Sequence, residues 1–201
     1  MKKLKKSSIV IALVLSALVS NSASAWNDTV THPALTDLAI KHLQLSGWIE
    51  PYLQNNLGFE KNVEALLPYE NKQITIRALL LEGSREEDSP LSRSFNHFHE
   101  PISNLGLNQL CWPFNPDKCV WKGESALGWA RGTGEGCREA EKCTGNEYSW
   151  FEARYHYRLA FEAESATDRD RELADTFRIL GQIMHLVQDM AVPAHTRNGV
   201  A

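Results

Sequence analysis

The chain has 201 residues, 43% hydrophobic and 23% charged, with a formal net charge of −4. It is long enough to bury a sizeable core as one domain. The excess of acid excludes a general polyanion-binding surface, so any nucleic-acid substrate would have to be held through metal ions.

Residues 1–25 read as a secretory signal. Lys2, Lys3, Lys5 and Lys6 form a basic start, Ile9 to Val19 an apolar run, and Ala23-Ser24-Ala25 a small-x-small cleavage site. The run is shorter than the roughly 20 residues that span a bilayer. Cleavage after Ala25 makes Trp26 the new N-terminus, with no cysteine there to take a lipid anchor. The expected mature product is one domain, residues 26–201, secreted or periplasmic. Loss of the four leader lysines takes its formal charge from −4 to −8.

Helical periodicity dominates the rest, and no convincing run of alternating residues marks a strand. A first helix is expected with Leu35, Leu38, Ala39, His42 and Leu43 on one face, Pro33 near its start and Gly47 just past its end. A second covers about Val63 to Leu67, and a third about Gln73 to Leu81, ending at Gly83. From Ser84 to Gly145 the chain is rich in Gly, Pro, Asn and charge and reads as loop with short helical turns. Loops of that length are usually functional. All four cysteines, Cys111, Cys119, Cys137 and Cys143, fall in this stretch. Exported thiols are normally oxidised, so two local disulfides are expected; three pairings are open, and neighbours in order close the shortest loops. A four-cysteine zinc site is the rival and needs reduced thiols. A helix from Ser149 to Ala163 carries Phe151, Tyr155, Leu159 and Ala160 on one side. A last helix, from about Arg169 to Met190, is central and largely buried, with Leu173, Phe177, Leu180, Met184 and Val187 on its apolar faces and Pro193 ending it. The fold class expected is all-α, a multi-helix bundle with a disulfide-bearing loop insertion.

Three segments carry candidate chemistry. His185-Leu-Val-Gln-Asp189 places an imidazole and a carboxylate one turn apart on one helix face, and Pro193-Ala-His195 can return a second imidazole to the same place. Both types are good zinc ligands, although the same spacing also describes a buried helix pair. Gly83-Ser-Arg-Glu-Glu-Asp88 followed by Asn96-His97-Phe98-His99-Glu100-Pro101 offers acids and histidines at the mouth of a loop; by itself it also describes a solvated charged turn. Trp26-Asn-Asp-Thr-Val-Thr-His32-Pro would present a free amine and an imidazole, and an α-amine with a reference pKa of about 7.7–8.0 can ligate zinc near neutral pH.

In this order the three segments resemble the zinc-dependent phospholipase C family and its relatives, the single-strand-specific zinc nucleases. The family pattern joins an N-terminal Trp, a nearby His, an Asp ahead of His-Phe-aromatic-Asp-Pro, and His-x3-Asp-x5-His. His185, Asp189 and His195 match the last motif in full; His97-Phe98-His99-Glu100-Pro101 matches the middle one with His99 for the aromatic residue and Glu100 for Asp. The resemblance implies up to three zinc ions. Trp26, His32 and Asp189 would hold one, Asp88, His97, His185 and the bridging Asp189 a second, and His195 would belong to a third. Asp88 would also be the general base, with Glu87 or Glu86 as alternative ligands because Asp88 sits closer to His97 than the family gap. The family adds a His and an acid downstream of the His195 position, and the chain ends six residues after His195, at Ala201. The expectation is a C-terminally truncated chain with an incomplete third site.

What the resemblance implies in function is hydrolysis of phosphodiester bonds by zinc-activated water. Phospholipid is the favoured substrate, with contact to a membrane surface and no stable protein partner. The middle motif is nearer the phospholipase form, and an acidic chain offers no basic groove for a nucleic-acid backbone. The alternatives are a nuclease of the same superfamily and a catalytically silent secreted metal-binding module.

Overall fold

The structure is a computed structural model that describes residues 28–107, 110–112, 115–121, 123–132 and 146–196, with side chains described over 29–107, 123–132 and 146–196. The leader, Trp26, Cys137 and Cys143 lie outside these residues. Helix accounts for 65% of the described residues, so the all-helical class holds in outline. Two short antiparallel hairpins are the exception.

Helix α1 (Asp28–Leu45) is followed by α2 (Ile49–Asn55), a single 3₁₀ turn (Asn62–Glu64), and strands β1 (Leu66–Tyr69) and β2 (Lys72–Thr75). Helix α3 (Ile76–Glu86) and a 3₁₀ segment (Leu91–Asn96) come next, then strands β3 (Leu110–Trp112) and β4 (Asn115–Trp121). Helices α4 (Ala126–Arg131), α5 (Trp150–Glu162), α6 (Ala166–Asp189) and α7 (Pro193–Thr196) complete the order. No helix among the described residues is long and apolar enough to cross a membrane.

The helix expected over Val63–Leu67 is a 3₁₀ turn running into β1, and the one expected from Gln73 begins only at Ile76. Leu67 pairs with Ile74 across the hairpin and buries completely, whereas Leu66 is half exposed. Four-residue strands are too short to show a period of two. Thr75 makes the switch from strand to helix: its backbone is extended and its Oγ1 accepts the Ala78 amide at 3.1 Å, an N-cap. Ser149 and Ser165 cap α5 and α6 in the same way.

Helix α6 is 24 residues long and stands at the centre, packed by α3 on one side and α5 on another. Leu173 and Ala174 of α6 meet Ile40, Leu53, Val63, Leu67, Ile76 and Leu79 in the core. Gly83 lies inside α3 rather than ending it. A Cβ at Gly83 would stand 2.2 Å from the Arg178 carbonyl oxygen, and one at Gly181 would stand 2.3 Å from the Leu80 carbonyl oxygen. The two helices therefore cross backbone to backbone at a pair of glycines.

The buried stripe of α1 is His32, Thr36 and Ile40, a spacing of four, while Leu38 and Leu43, expected to face the core, are 61% and 39% exposed. The polar stripe points to α6, and the leucines are left outside. Leu35, Ala39 and Leu43 instead line an apolar groove of 630 Å³ with Met184 and Val187 of α6, and Val187 is exposed. Pro193 opens the short helix α7, because α6 already ends at Asp189. Among the described residues between Ser84 and Gly132 the chain forms the last turn of α3, the 3₁₀ segment, the β3–β4 hairpin and α4, so the expected short helical turns are joined by a hairpin. In that hairpin the register sets Cys111 opposite Cys119.

Candidate metal centre

The Gly83–Gly181 crossing determines where the candidate ligands meet. It carries Ser84 and the chain beyond α3 against the last turns of α6, so residues about a hundred positions apart touch. Asp189, 3% exposed, is the centre. Its Oδ2 lies 2.7 Å from His97 Nδ1 and 3.1 Å from His185 Nε2. Its Oδ1 lies 3.4 Å from His32 Nε2 and 3.3 Å from His195 Nδ1. One carboxylate thus faces four imidazoles, two on each oxygen.

Asp88 closes the Oδ2 side, with its carboxylate 3.4 Å from His97 Nδ1 and 3.5 Å from His185 Nε2. Two overlapping triads result, Asp88 with His97 and His185, and His32 with His185 and Asp189, each with donor atoms within 4.8 Å of one another. The His32 and His185 rings stack at 3.7 Å between centroids.

Second-nitrogen contacts orient the rings. His185 Nδ1 lies 2.6 Å from the Ser84 carbonyl oxygen, which only accepts, so Nδ1 carries a proton and Nε2 faces Asp88 and Asp189. His32 Nδ1 bonds Gln188 Oε1 at 2.8 Å, and the Gln188 amide nitrogen donates to Thr36 Oγ1 at 2.9 Å. His195 is brought in by α7, with its carbonyl accepting the His99 amide at 2.9 Å and its ring edge-on to Phe98. The middle motif and the end of the last motif are thereby stitched together.

Burial and the neighbouring charges shift the groups of this cluster in opposite directions. Burial and the neighbouring His185 lower the pKa of His32. Burial opposes the charged form of Asp189, but the surrounding imidazoles of His185, His195 and His97 win and hold the carboxyl far below the usual range. At His97 burial is likewise outweighed, here by Asp189 and Glu87, and the pKa rises to about 9. His185 Nε2 and His195 Nδ1 are buried yet have no partner in hydrogen-bond geometry. Buried imidazole nitrogens aimed at carboxylates without hydrogen bonds are what a bound cation would satisfy, and the donor set of nitrogen and carboxylate oxygen suits a borderline-soft divalent ion.

Six of the seven sequence-derived ligand candidates, His32, Asp88, His97, His185, Asp189 and His195, therefore converge; Trp26 falls outside the described residues. His195 stands against Asp189 rather than apart from it. Orientation separates the three acids, and only Asp88 faces both His97 and His185. Glu86 pairs with Arg178. Glu87 is fully buried and turned to Arg93, with Arg93 Nη2 at 2.8 and 2.7 Å from its two oxygens. His99 bonds Ser125 at 2.7 Å, and Glu100 caps Ile102 and Ser103, so neither joins the centre. A third grouping of His156, Glu172 and Asp175 lies between α5 and α6, half-buried, and its imidazole is hydrogen-bonded to Glu172 at 2.7 Å.

Sequence reading passed over Gln188, Thr36 and Ser84. Gln188 lies inside the His185–Asp189 motif and Thr36 four residues after His32, so helical spacing could have found both. Ser84 contributes a backbone oxygen and leaves no signal in residue type.

No family model, curated protein or solved structure matches this chain. Among the described residues several His, Asp and Glu groups could hold a metal ion, and that much the geometry establishes.

Proposed function

We propose that the chain is a zinc-dependent hydrolase of phosphodiester bonds, of the phospholipase C type. The observation that carries the reading is Asp189, whose two oxygens each face two imidazoles. A carboxylate so placed could be shared by two cations, one held with His97 and His185 and one with His32. Zn²⁺ bound there would supply Lewis acidity toward phosphate oxygens and lower the pKa of a water to near neutrality.

The chain's own residues divide the remaining work. His185, oriented by the Ser84 carbonyl, and His97 face one position with Asp88; His32, oriented by Gln188, faces the other with Asp189. Asp88, about a quarter exposed, is the carboxylate at the centre that reaches solvent, which suits it to accept a proton from an attacking water. Asp189 is nearly enclosed and has no such access. His195, also about a quarter exposed, lies at the rim with Phe98. Phospholipid is favoured over nucleic acid because the chain carries a net negative charge, which disfavours a polyanionic backbone.

The test is the zinc content of protein beginning at Trp26, compared with a His185→Ala, Asp189→Ala double variant, followed by turnover of phosphatidylcholine vesicles and of single-stranded DNA. Two or more zinc ions per chain, lost in the variant, with phospholipid turnover abolished by a chelator, is the expected result. Zinc binding no greater than the variant's would overturn the reading. Zinc without turnover would leave a silent metal-binding module, and turnover of DNA alone a nuclease.

A further inference from the structure

Each imidazole at the centre has a second nitrogen, and what faces that nitrogen fixes the tautomer and the ring. For His185 it is a backbone carbonyl, and for His32 a side-chain amide oxygen. For His97, Nδ1 points at Asp189 and Asp88, while Nε2 is buried without a hydrogen-bond partner and lies 3.8 Å from Glu87 Oε1.

Glu87 itself is held from several sides. Arg93 Nη2 donates to both carboxylate oxygens, Arg93 Nε donates to the Glu87 backbone oxygen at 3.2 Å, and Trp129 Nε1 donates to Oε1 at 2.9 Å. Arg93 also donates to Asn146 and Gln182, each at 3.1 Å, and lies over the rings of Trp129 and Tyr148. An ionised carboxylate has about four acceptor sites, and these donors fill three. The unsatisfied donor nearest this carboxylate is His97 Nε2, which faces Oε1 and would share that oxygen with Arg93 and Trp129. Burying an ion pair this completely costs desolvation that an apolar packing would avoid, so a need for charge at this point is a reason for Glu87 to be there.

We propose that Glu87 is a positioning residue of the centre: its carboxylate accepts the Nε2 proton of His97 and so presents Nδ1 to the cavity between Asp88 and Asp189. The inference rests on the metal reading above. A contraction of about 1 Å would bring the present 3.8 Å separation to normal hydrogen-bond length. Occupation of Nδ1 leaves the proton of a neutral ring on Nε2, and a carboxylate there raises the basicity of the ligating nitrogen. The Arg93 and Trp129 contacts hold Glu87 in place, so the loop beyond α3, the 3₁₀ segment and α4 together aim one imidazole.

The test compares Zn²⁺ affinity, by competition with a chromophoric chelator, in the parent chain, Glu87→Gln and Glu86→Gln. Glu87→Gln is expected to weaken one equivalent of zinc by about 10–100-fold, the effect typical of losing such a partner. Glu86→Gln removes a neighbouring charge that is paired with Arg178, and is expected to bind as the parent does. Parent-like affinity in Glu87→Gln, or an equal loss in both variants, would overturn the proposal. A second readout uses the parent chain labelled with ¹⁵N-histidine, with and without Zn²⁺. His97 should show a slowly exchanging, hydrogen-bonded Nε2 proton in both states, and its absence would overturn the proposal even if Glu87→Gln fails to fold. If the parent binds no zinc, the metal reading fails on that count alone, and the Nε2 proton still decides whether Glu87 orients His97.

Discussion

Gly83→Ala sets two physical effects against each other. In an isolated helix alanine is better than glycine by about 0.5–1 kcal/mol, so helix propensity alone predicts a more stable protein. In this structure the new methyl would stand 2.2 Å from the Arg178 carbonyl oxygen and 2.9 Å from Gly181 Cα, and neither is a side-chain end that can swing away. Ordinary contact between heavy atoms is about 3.5–4.0 Å, so α3 and α6 must separate by more than about 1 Å. Overpacking typically costs 1–3 kcal/mol, and a backbone clash belongs at the upper end, leaving a net loss of about 2 kcal/mol after the propensity gain. Urea unfolding should show a lower midpoint at unchanged slope, a shift of about 1 M for a slope of 1–3 kcal/mol/M. The same displacement moves the Ser84 carbonyl and Asp88 away from His185, so zinc affinity should fall together with stability. A variant as stable as the parent, with unaltered zinc binding, would refute the close helix crossing as the element that assembles the centre.

Asp88→Asn at saturating Zn²⁺ should lower phosphodiester turnover by about 10²–10⁴-fold, the range for loss of a general base, whereas Glu86→Gln should leave it unchanged because Glu86 faces Arg178. The reverse ranking in a turnover assay would show that the wrong acid has been assigned. Burial, aided by the charge of Glu172 and opposed by His156, raises the pKa of Asp175. A carboxyl whose folded pKa lies above its unfolded one withdraws stability at pH above that range. Asp175→Asn should therefore raise the melting temperature at pH 7, with the gain shrinking as pH falls through the carboxyl range; an unchanged melting temperature at pH 7 would contradict this.

Within the candidate site, the sequence shows what helix geometry places one turn apart. His185 and Asp189 share a face at a spacing of four, and so do His32 and Thr36, whatever surrounds them. The chemistry of imidazole beside carboxylate was legible for the same reason, and His97 and His195 were nominated by residue type together with the motif resemblance. Nothing local distinguishes Glu86, Glu87 and Asp88, which follow one another on the chain. Arg178 and Arg93 decide between them, and both reach these acids from other elements. The strands were missed because β1 and β2 are four residues each and only Leu67 of β1 is buried, too little to write a period.

Helical content, the N-caps and the one-turn pairs follow from interactions within a few residues, and these the amino-acid sequence determined by itself. The face that α1 buries, the role of Gly83, which of Glu86, Glu87 and Asp88 faces the cluster, and the second-nitrogen partners of His32 and His185 depend on contacts between distant segments, such as His32 with Gln188, 156 positions apart, and His185 with Ser84, 101 apart. Those contacts exist only once α3 and α6 approach backbone to backbone, a packing event that spacing along one helix cannot encode.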